Sequence, residues 1–346
     1  MQKIQPTKLT LNPLPLRGED GRGLETFIRR CLQLAENGRQ NARPNPMVGA
    51  VITDCGGNII GEGYHIRCGE AHAEVNAFAD CERRGNNHLL PEATIYVSLE
   101  PCAHYGKTPP CADLIIRKGV KRVVVGCVDS FSEVSGRGIQ RIKDAGIEVI
   151  VGVLEAECKE LNRVFFTYHT LHRPFITLKW AQSADGFIDK DFAPVRISNA
   201  KTTMLAHKLR AENDAILIGR TTLERDKPSL NVREWYGRNP QKFVLTSQKN
   251  VAKTDNSNTG NALPSPTDFT FVSSIDEITG VQSLLIEGGA ATHQYFINNN
   301  LWDLIRVETS ADFFKNGTKA AEIPSNAILT SEKTYDGNII REYRRA

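Results

Sequence analysis

Leu99-Glu100-Pro101-Cys102-Ala103-His104-Tyr105-Gly106-Lys107-Thr108-Pro109-Pro110-Cys111 carries two cysteines, each directly after a proline, and His72-Ala73-Glu74-Val75 lies upstream. The histidine segment opens one stretch that reads as helix, and Pro110-Cys111 opens another. Cys102 and Cys111 can supply two thiolates and His72 one imidazole nitrogen. That leaves the fourth corner of a zinc tetrahedron for water, as a catalytic site requires. Zinc lowers the pKa of such a water to about 7. Glu74 follows His72 closely enough to reach that water without being a ligand, so it is the candidate acid–base group. Cysteines at helix starts also gain from the positive helix end, which favours the thiolate. A structural zinc site would close with four protein ligands. Cys55, Cys81 and Cys127 fall in apolar helix or strand contexts and offer no evident fourth.

Around this centre the apolar spacing predicts a helix over 24–37, strands over 47–53 and 58–64 joined by a hairpin at Asp54-Cys55-Gly56-Gly57, and a helix over 73–83. Strands follow at 94–98, 122–127 and 147–151, with helices at 110–118 and 137–145 between them. A further helical run covers 154–170, and Pro174 marks a boundary because it disfavours helix in the residue before it. Helices alternating with strands imply a layered α/β unit. A second α/β series has strands at 175–180, 215–218, 242–245, 269–272 and 283–286 and helices at 201–212 and 292–299. The segment 250–267, rich in Asn, Ser, Thr, Gly and Pro, reads as a mobile surface loop.

Length and composition fit this two-part division. The chain has 346 residues, 40% hydrophobic and 24% charged, enough for two cores. Its formal charge of +3 comes from 43 basic and 40 acidic residues mixed along the sequence. With no basic run, nothing argues for a nucleic-acid partner. No apolar stretch reaches the roughly 20 residues that span a bilayer, and residues 1–23 have no apolar leader core, so they read as a disordered extension. None of the eight cysteines lies after Cys158. Reduced thiols and metal ligation in the cytoplasm are therefore the expectation.

A His-x-Glu pattern followed by Pro-Cys pairs is that of zinc-dependent nucleobase deaminases, and the long interval between Cys102 and Cys111 narrows it. Together with Asn45-Pro46-Met47-Val48-Gly49, Gly61-Glu62-Gly63-Tyr64-His65 and Ser135-Gly136-Arg137-Gly138, the motifs of residues 24–166 resemble the bifunctional riboflavin-biosynthesis proteins, a pyrimidine deaminase fused to a pyrimidine reductase. The resemblance implies a cytidine-deaminase-like three-layer domain over 24–170. Its substrate would be a diaminopyrimidinone bearing a phosphoribosylamino group, met by Asn45, His65, Lys107 and Asp129. Asn45, His65 and Lys107 taken alone read as a turn residue, a satisfied histidine and a solvated cation. Phe131 stands where the family often has Asn.

In the second half, Gly219-Arg220-Thr221-Thr222 and Ile286-Glu287-Gly288-Gly289 each follow a strand and precede a helix. Such turns allow backbone to approach a phosphate, although neither is a dinucleotide fingerprint. Leu178-Lys179, Ser183-Ala184-Asp185-Gly186, His207-Lys208-Leu209-Arg210-Ala211 and Asp226-Lys227-Pro228-Ser229-Leu230 resemble the family's reductase, which is dihydrofolate-reductase-like, here over 174–346. The resemblance implies NADPH reduction of the ribosyl group, Asp226 as the catalytic acid, and Lys179, Arg210 and Arg233 on the phosphorylated substrate. Ser183, Gly219, Thr221, Ser247, Glu287, Gly288 and Gly289 would line the cofactor site. Arg196 replaces a frequent Trp. A homo-oligomer is also implied. Two rivals remain at this level: a deaminase of another pyrimidine nucleotide whose second domain only binds, and a non-catalytic, zinc-stabilised nucleotide-binding protein.

Overall fold

The computed structural model describes residues 21–105, 109–129, 135–247 and 268–345. The expected extension through residue 20, the 250–267 loop, Lys107 and Phe131 lie outside the described residues. The chain divides into two compact units, Met1–Thr170 and Leu171–Ala346.

The first unit is a sheet in the order β2-β1-β3-β4-β5. β1 (Gly49–Thr53) runs antiparallel to β2 (Ile59–Tyr64) and to β3 (Thr94–Leu99), and β3, β4 (Arg122–Cys127) and β5 (Glu148–Val151) are parallel. Successive residues alternate between two cores, as the pleat demands. Ile52, Ile95, Val97, Val123 and Val125 face α2 (Ala73–Arg83), α3 (Cys111–Lys118) and α4 (Arg137–Asp144). Val51, Tyr96 and Val124 face α1 (Gly21–Glu36) and α5 (Glu155–Leu161). Burial on both faces explains the unbroken valines of β4. It also makes the unit three layers, helices on either side of a sheet.

Two expectations change here. Residues 21–23 belong to α1 rather than to the extension. The single helix expected over 154–170 is two, α5 and α6 (Arg163–Leu171). Asn162 separates them because its side chain is committed elsewhere: it donates to the Met47 carbonyl and accepts from the Met47 amide, each at 2.8 Å. The break lets α6 turn so that Phe165 and His169 reach the same cavity as Asn45.

The second unit is a sheet in the order β12-β13-β11-β6-β10-β7-β8-β9. From β11 (Leu304–Thr309) through β6 (Phe175–Gln182), β10 (Ser283–Ile286), β7 (Ala215–Gly219), β8 (Gln241–Leu245) and β9 (Thr270–Val272) all pairs are parallel. The hairpin β12 (Ala327–Tyr335) and β13 (Asn338–Arg345) closes one edge antiparallel. α9 (Ala290–Asn298) packs Phe296 and Ile297 on one face. α7 (Ala200–Ala211) and α8 (Arg220–Asp226) place Leu209 and Leu223 on the other. Both β7 and β10 lead directly into helices, so Gly219 and Gly289 become the N-caps of α8 and α9. Among the described residues no helix is long and apolar enough to cross a membrane.

Candidate active sites

In the first unit, His72 is the N-cap of α2 in extended backbone (φ −71°, ψ 167°), while Glu74 sits in the first turn. Cys102 lies on the segment leaving β3, and Cys111 begins α3. Nδ1 of His72 is 3.6 Å from the Cys102 Sγ and 3.4 Å from the Cys111 Sγ. One ligand atom from each residue falls within 4.8 Å of the others. The Cys111 amide donates to the Cys102 Sγ at 3.3 Å. Two thiols this close compete for one negative charge. The hydrogen bond from Cys111 holds Cys102 down to about 4, and the same bond, with burial, pushes Cys111 well above the usual thiol range. A divalent cation on their shared side removes the competition, so two sulfurs and one imidazole nitrogen fit zinc with one position left over.

Glu74 is only 3% exposed. Burial, then the nearby Cys102 sulfur, pushes its carboxyl above the usual range. That suits a group that must both take and return a proton near neutrality. Behind His72, the His65 ring packs edge-on at 5.4 Å. His65 Nδ1 lies 3.1 Å from the Ala71 carbonyl and Nε2 lies 3.1 Å from Asn45 Nδ2. A carbonyl needs a donor and the amide NH2 is one, so the ring is neutral with its proton on Nδ1. Burial, which lowers the His65 pKa, agrees with the neutral form. These groups open on a cavity of about 710 Å³ whose walls include Asn45, His65, Glu74, Asp129, Arg137 and Phe165.

The second unit has two adjoining cavities. One, of about 750 Å³, is walled by Gly219, Thr221, Ser247, Gly289 and Asp226. Neither Gly219 nor Gly289 carries a side-chain cap, and the first residues of α8 and α9 (Arg220, Thr221, Thr222 and Ala290, Ala291, Thr292) line this space. Backbone packs tightly here: a Cβ on Gly219 would lie 2.4 Å from the Thr292 Oγ1, and the Gly289 amide donates to the Thr222 Oγ1 at 3.0 Å. Two uncapped helix starts at one cavity suit the pyrophosphate of a dinucleotide. The other cavity, of about 530 Å³, is walled by Lys179, Arg196, Arg233, Glu287 and Asp226. Asp226 therefore borders both. Its carboxyl is raised by partial burial and by the charge of Asp189, against the opposing pull of Arg225.

Several expected residues carry contacts of their own. Arg210, expected on substrate phosphate, lines the second cavity with Lys179 and Arg233, and there it is also bonded to Glu287 (Nη2 to Oε2 2.6 Å, Nε to both oxygens 3.2 Å) and to the Asn231 carbonyl at 3.3 Å. Glu287 lines the second cavity, not the expected cofactor cavity. Burial opposes its ionisation, yet Arg210 and Lys179 hold its carboxyl below the usual range. Ser183 is fully buried. Its hydroxyl donates to Asp185 at 2.6 Å and accepts from the Phe187 amide at 3.0 Å, so it shapes a turn and lines neither cavity. Arg196, in place of a tryptophan, folds back on the Ser198 carbonyl at 3.1 Å while still bordering the second cavity. Sequence reading passed over Glu100, Arg137, Phe165 and Asp189. Arg137 and Glu100 lay inside quoted motifs, whereas Phe165 became visible only once Asn162 broke its helix.

Comparison with known proteins finds relatives of both halves. The family "Cytidine and deoxycytidylate deaminase zinc-binding region" matches residues 22–127, and "RibD C-terminal domain" matches residues 174–310. The riboflavin biosynthesis protein RibD of Aquifex aeolicus is 45% identical over 210 residues; the match covers 60% of this chain, which spans 57% of that relative's length. RibD of Bacillus amyloliquefaciens is 33% identical over 310 residues, covering 81% of this chain and 82% of its own. The crystal structure of a diaminohydroxyphosphoribosylaminopyrimidine deaminase/5-amino-6-(5-phosphoribosylamino)uracil reductase from Thermotoga maritima superposes with a TM-score of 0.82 at 33% identity, covering 94% of this chain and 99% of that one. At 33% identity over most of the length of both chains, this chain belongs to the RibD family of riboflavin biosynthesis proteins.

Proposed function

We propose that the chain catalyses two successive steps of riboflavin biosynthesis. The first is hydrolytic deamination of 2,5-diamino-6-(5-phosphoribosylamino)pyrimidin-4(3H)-one. The second is NADPH-dependent reduction of the ribosyl group to ribityl, giving 5-amino-6-(5-phosphoribitylamino)uracil.

The observation that carries this reading is His72 Nδ1 facing both thiols, with buried Glu74 at the same cavity. Zinc held by His72, Cys102 and Cys111 would supply an activated water for attack on the ring carbon bearing the amine. Glu74 would take one proton from that water and give it to the ring nitrogen, then carry the second proton, from the hydroxyl formed on attack, to the amine that leaves as ammonia. Asn45, held by His65, and Asp129 orient the pyrimidine, and Lys107 is assigned to the same substrate.

The second unit is read as a dihydrofolate-reductase-like domain. Gly219, Thr221, Ser247 and Gly289 would hold NADPH, which supplies a hydride equivalent to the sugar carbon bonded to nitrogen. Asp226, bordering both cavities, gives the proton needed as the sugar ring opens, and Lys179 and Arg233 meet the substrate phosphate. The protein would act on free small molecules in the cytoplasm as a homo-oligomer, with no nucleic-acid partner.

The test is an assay on zinc-loaded protein that follows ammonia release and NADPH oxidation separately. Glu74→Gln should silence the first signal and Asp226→Asn the second. Silence of the unaltered protein in both channels refutes the reading and returns the nucleotide-binding alternative.

A further inference from the structure

Glu100 is a carboxylate 5% exposed beside the zinc loop, yet no mechanistic step uses it. Its oxygens gather four backbone amides from a distant segment. Oε1 accepts from Gly138 at 2.9 Å and Ile139 at 3.4 Å, and Oε2 accepts from Gly136 at 2.9 Å and Asp129 at 3.3 Å. Gly136 is the N-cap of α4, in left-handed backbone (φ 76°) with no side-chain cap of its own. Glu100, directly after β3, thus caps α4 and at the same time ties it to Asp129, two residues beyond β4.

The approach is close enough to need glycine: a Cβ on Gly138 would fall 1.9 Å from the Pro101 carbonyl oxygen. A second strap runs back from α4. Arg141 donates to the Ala103 carbonyl at 3.3 Å and pairs with Asp113 of α3 at 2.9 Å. Cys102 therefore sits between Pro101 and Ala103, both pressed against α4, while α4 also grips the helix that Cys111 begins. Asp129, which Glu100 holds directly, and Arg137, between the held Gly136 and Gly138, both line the cavity.

We infer that Glu100 is a positioning residue for the deamination: by holding the amides of Asp129, Gly136, Gly138 and Ile139 it fixes Asp129 and Arg137 in register with the Cys102 ligand. This rests on the deaminase reading above. Glutamine fits the same space but replaces one acceptor oxygen with an NH2 facing amide donors, so two of the four bonds turn repulsive. Glu100 acts on substrate contacts and not on the reacting atoms, so its loss shows in KM.

The experiment compares Glu100→Gln, Arg137→Ala and the double variant, each zinc-loaded, for ammonia release from the phosphoribosylamino pyrimidine. Zinc content and backbone amide exchange are measured in parallel. In Glu100→Gln, KM should rise about ten- to a hundredfold, the size of one or two lost bonds to a charged group. Its kcat should stay within about threefold and its zinc content unchanged. The Glu100→Gln substitution should raise the KM of Arg137→Ala by less than it raises that of the parent, because the Arg137 part of its effect is already lost. An unchanged KM, fully additive effects, or zinc lost together with kcat would overturn the inference.

Amide exchange separates this inference from the deaminase reading. If the unaltered protein releases no ammonia, the deaminase reading fails. Faster exchange across 136–139 in Glu100→Gln, with 112–118 unchanged, would still uphold the tether, and unchanged exchange would refute it. Where Glu100→Gln does not fold, Arg141→Met carries the same comparison, with a KM rise of about threefold expected for a half-exposed pair.

Discussion

Replacing Arg210 with methionine tests what that arginine is for. The Arg210–Glu287 pair has side chains 15% and 8% exposed, so removing the guanidinium strands a carboxylate out of water. Breaking a buried pair from one side costs about 3–5 kcal/mol. In a unit of this size each kcal/mol lowers Tm by roughly 2–4 °C, so Arg210→Met should melt roughly 6–20 °C lower. Tryptophan fluorescence isolates the effect, because Trp180, Trp235 and Trp302 all lie in the second unit.

The pH dependence has a defined sign. Arg210 holds the Glu287 carboxyl below its usual range. The pair therefore stabilises the fold above the ordinary glutamate pKa and loses that contribution as pH falls through the lower folded value. In the variant the stranded carboxyl accepts a proton more readily, so its deficit against the parent should shrink between pH 7 and pH 4. Adding Glu287→Leu should restore most of the lost stability, because no charge is then left buried. The reasoning fails if Arg210→Met melts with the parent and instead raises only the KM of the reductive step. Arg210 would then be a phosphate ligand, as its motif implies.

Glu74→Gln should keep zinc and slow ammonia release by about a hundred- to ten-thousandfold, with NADPH oxidation on deaminated substrate untouched. Chelation of zinc should likewise stop deamination while sparing the reductase, as read by the same two-channel assay. Gly219→Ala should weaken NADPH binding in a fluorescence titration and cost about 1–3 kcal/mol of stability, because its Cβ meets the Thr292 Oγ1. Adding Thr292→Ala should recover part of both losses. The pre-steady-state rate of the reductive step should fall with rising pH through a midpoint above the ordinary aspartate range, following the raised Asp226 carboxyl. Loss of that midpoint in Asp226→Asn is the check.

The zinc site was legible because its chemistry needs particular residue types in a recognisable order: His72, Glu74 and Cys111 stand at helix starts that proline and spacing announce, while Cys102 lies on the segment leaving β3. Strand β4 was equally plain, since it is apolar on both faces. What escaped was set by contacts distant in sequence. Asn162 looks like any helix residue until Met47 lies beside it. Arg210 and Glu287 carry the signs of ligands, and only the fold shows them paired with each other. The strands β11, β12 and β13 were missed because their charged residues, such as Arg306 and Glu342 at 2.9 Å, pair across the sheet where a periodicity count sees polar surface.

The two cavities of the second unit share Ile188, Val195, Thr222, Asp226 and Gly289 as a common wall. Ligands on either side of such a partition are neighbours through single side chains, so whichever arrives first alters the surface that greets the other. Dissociation constants for two ligands so placed would then be linked quantities. A substitution in the partition will shift both, and assigning its effect to one ligand requires titrating each in the presence and absence of its companion.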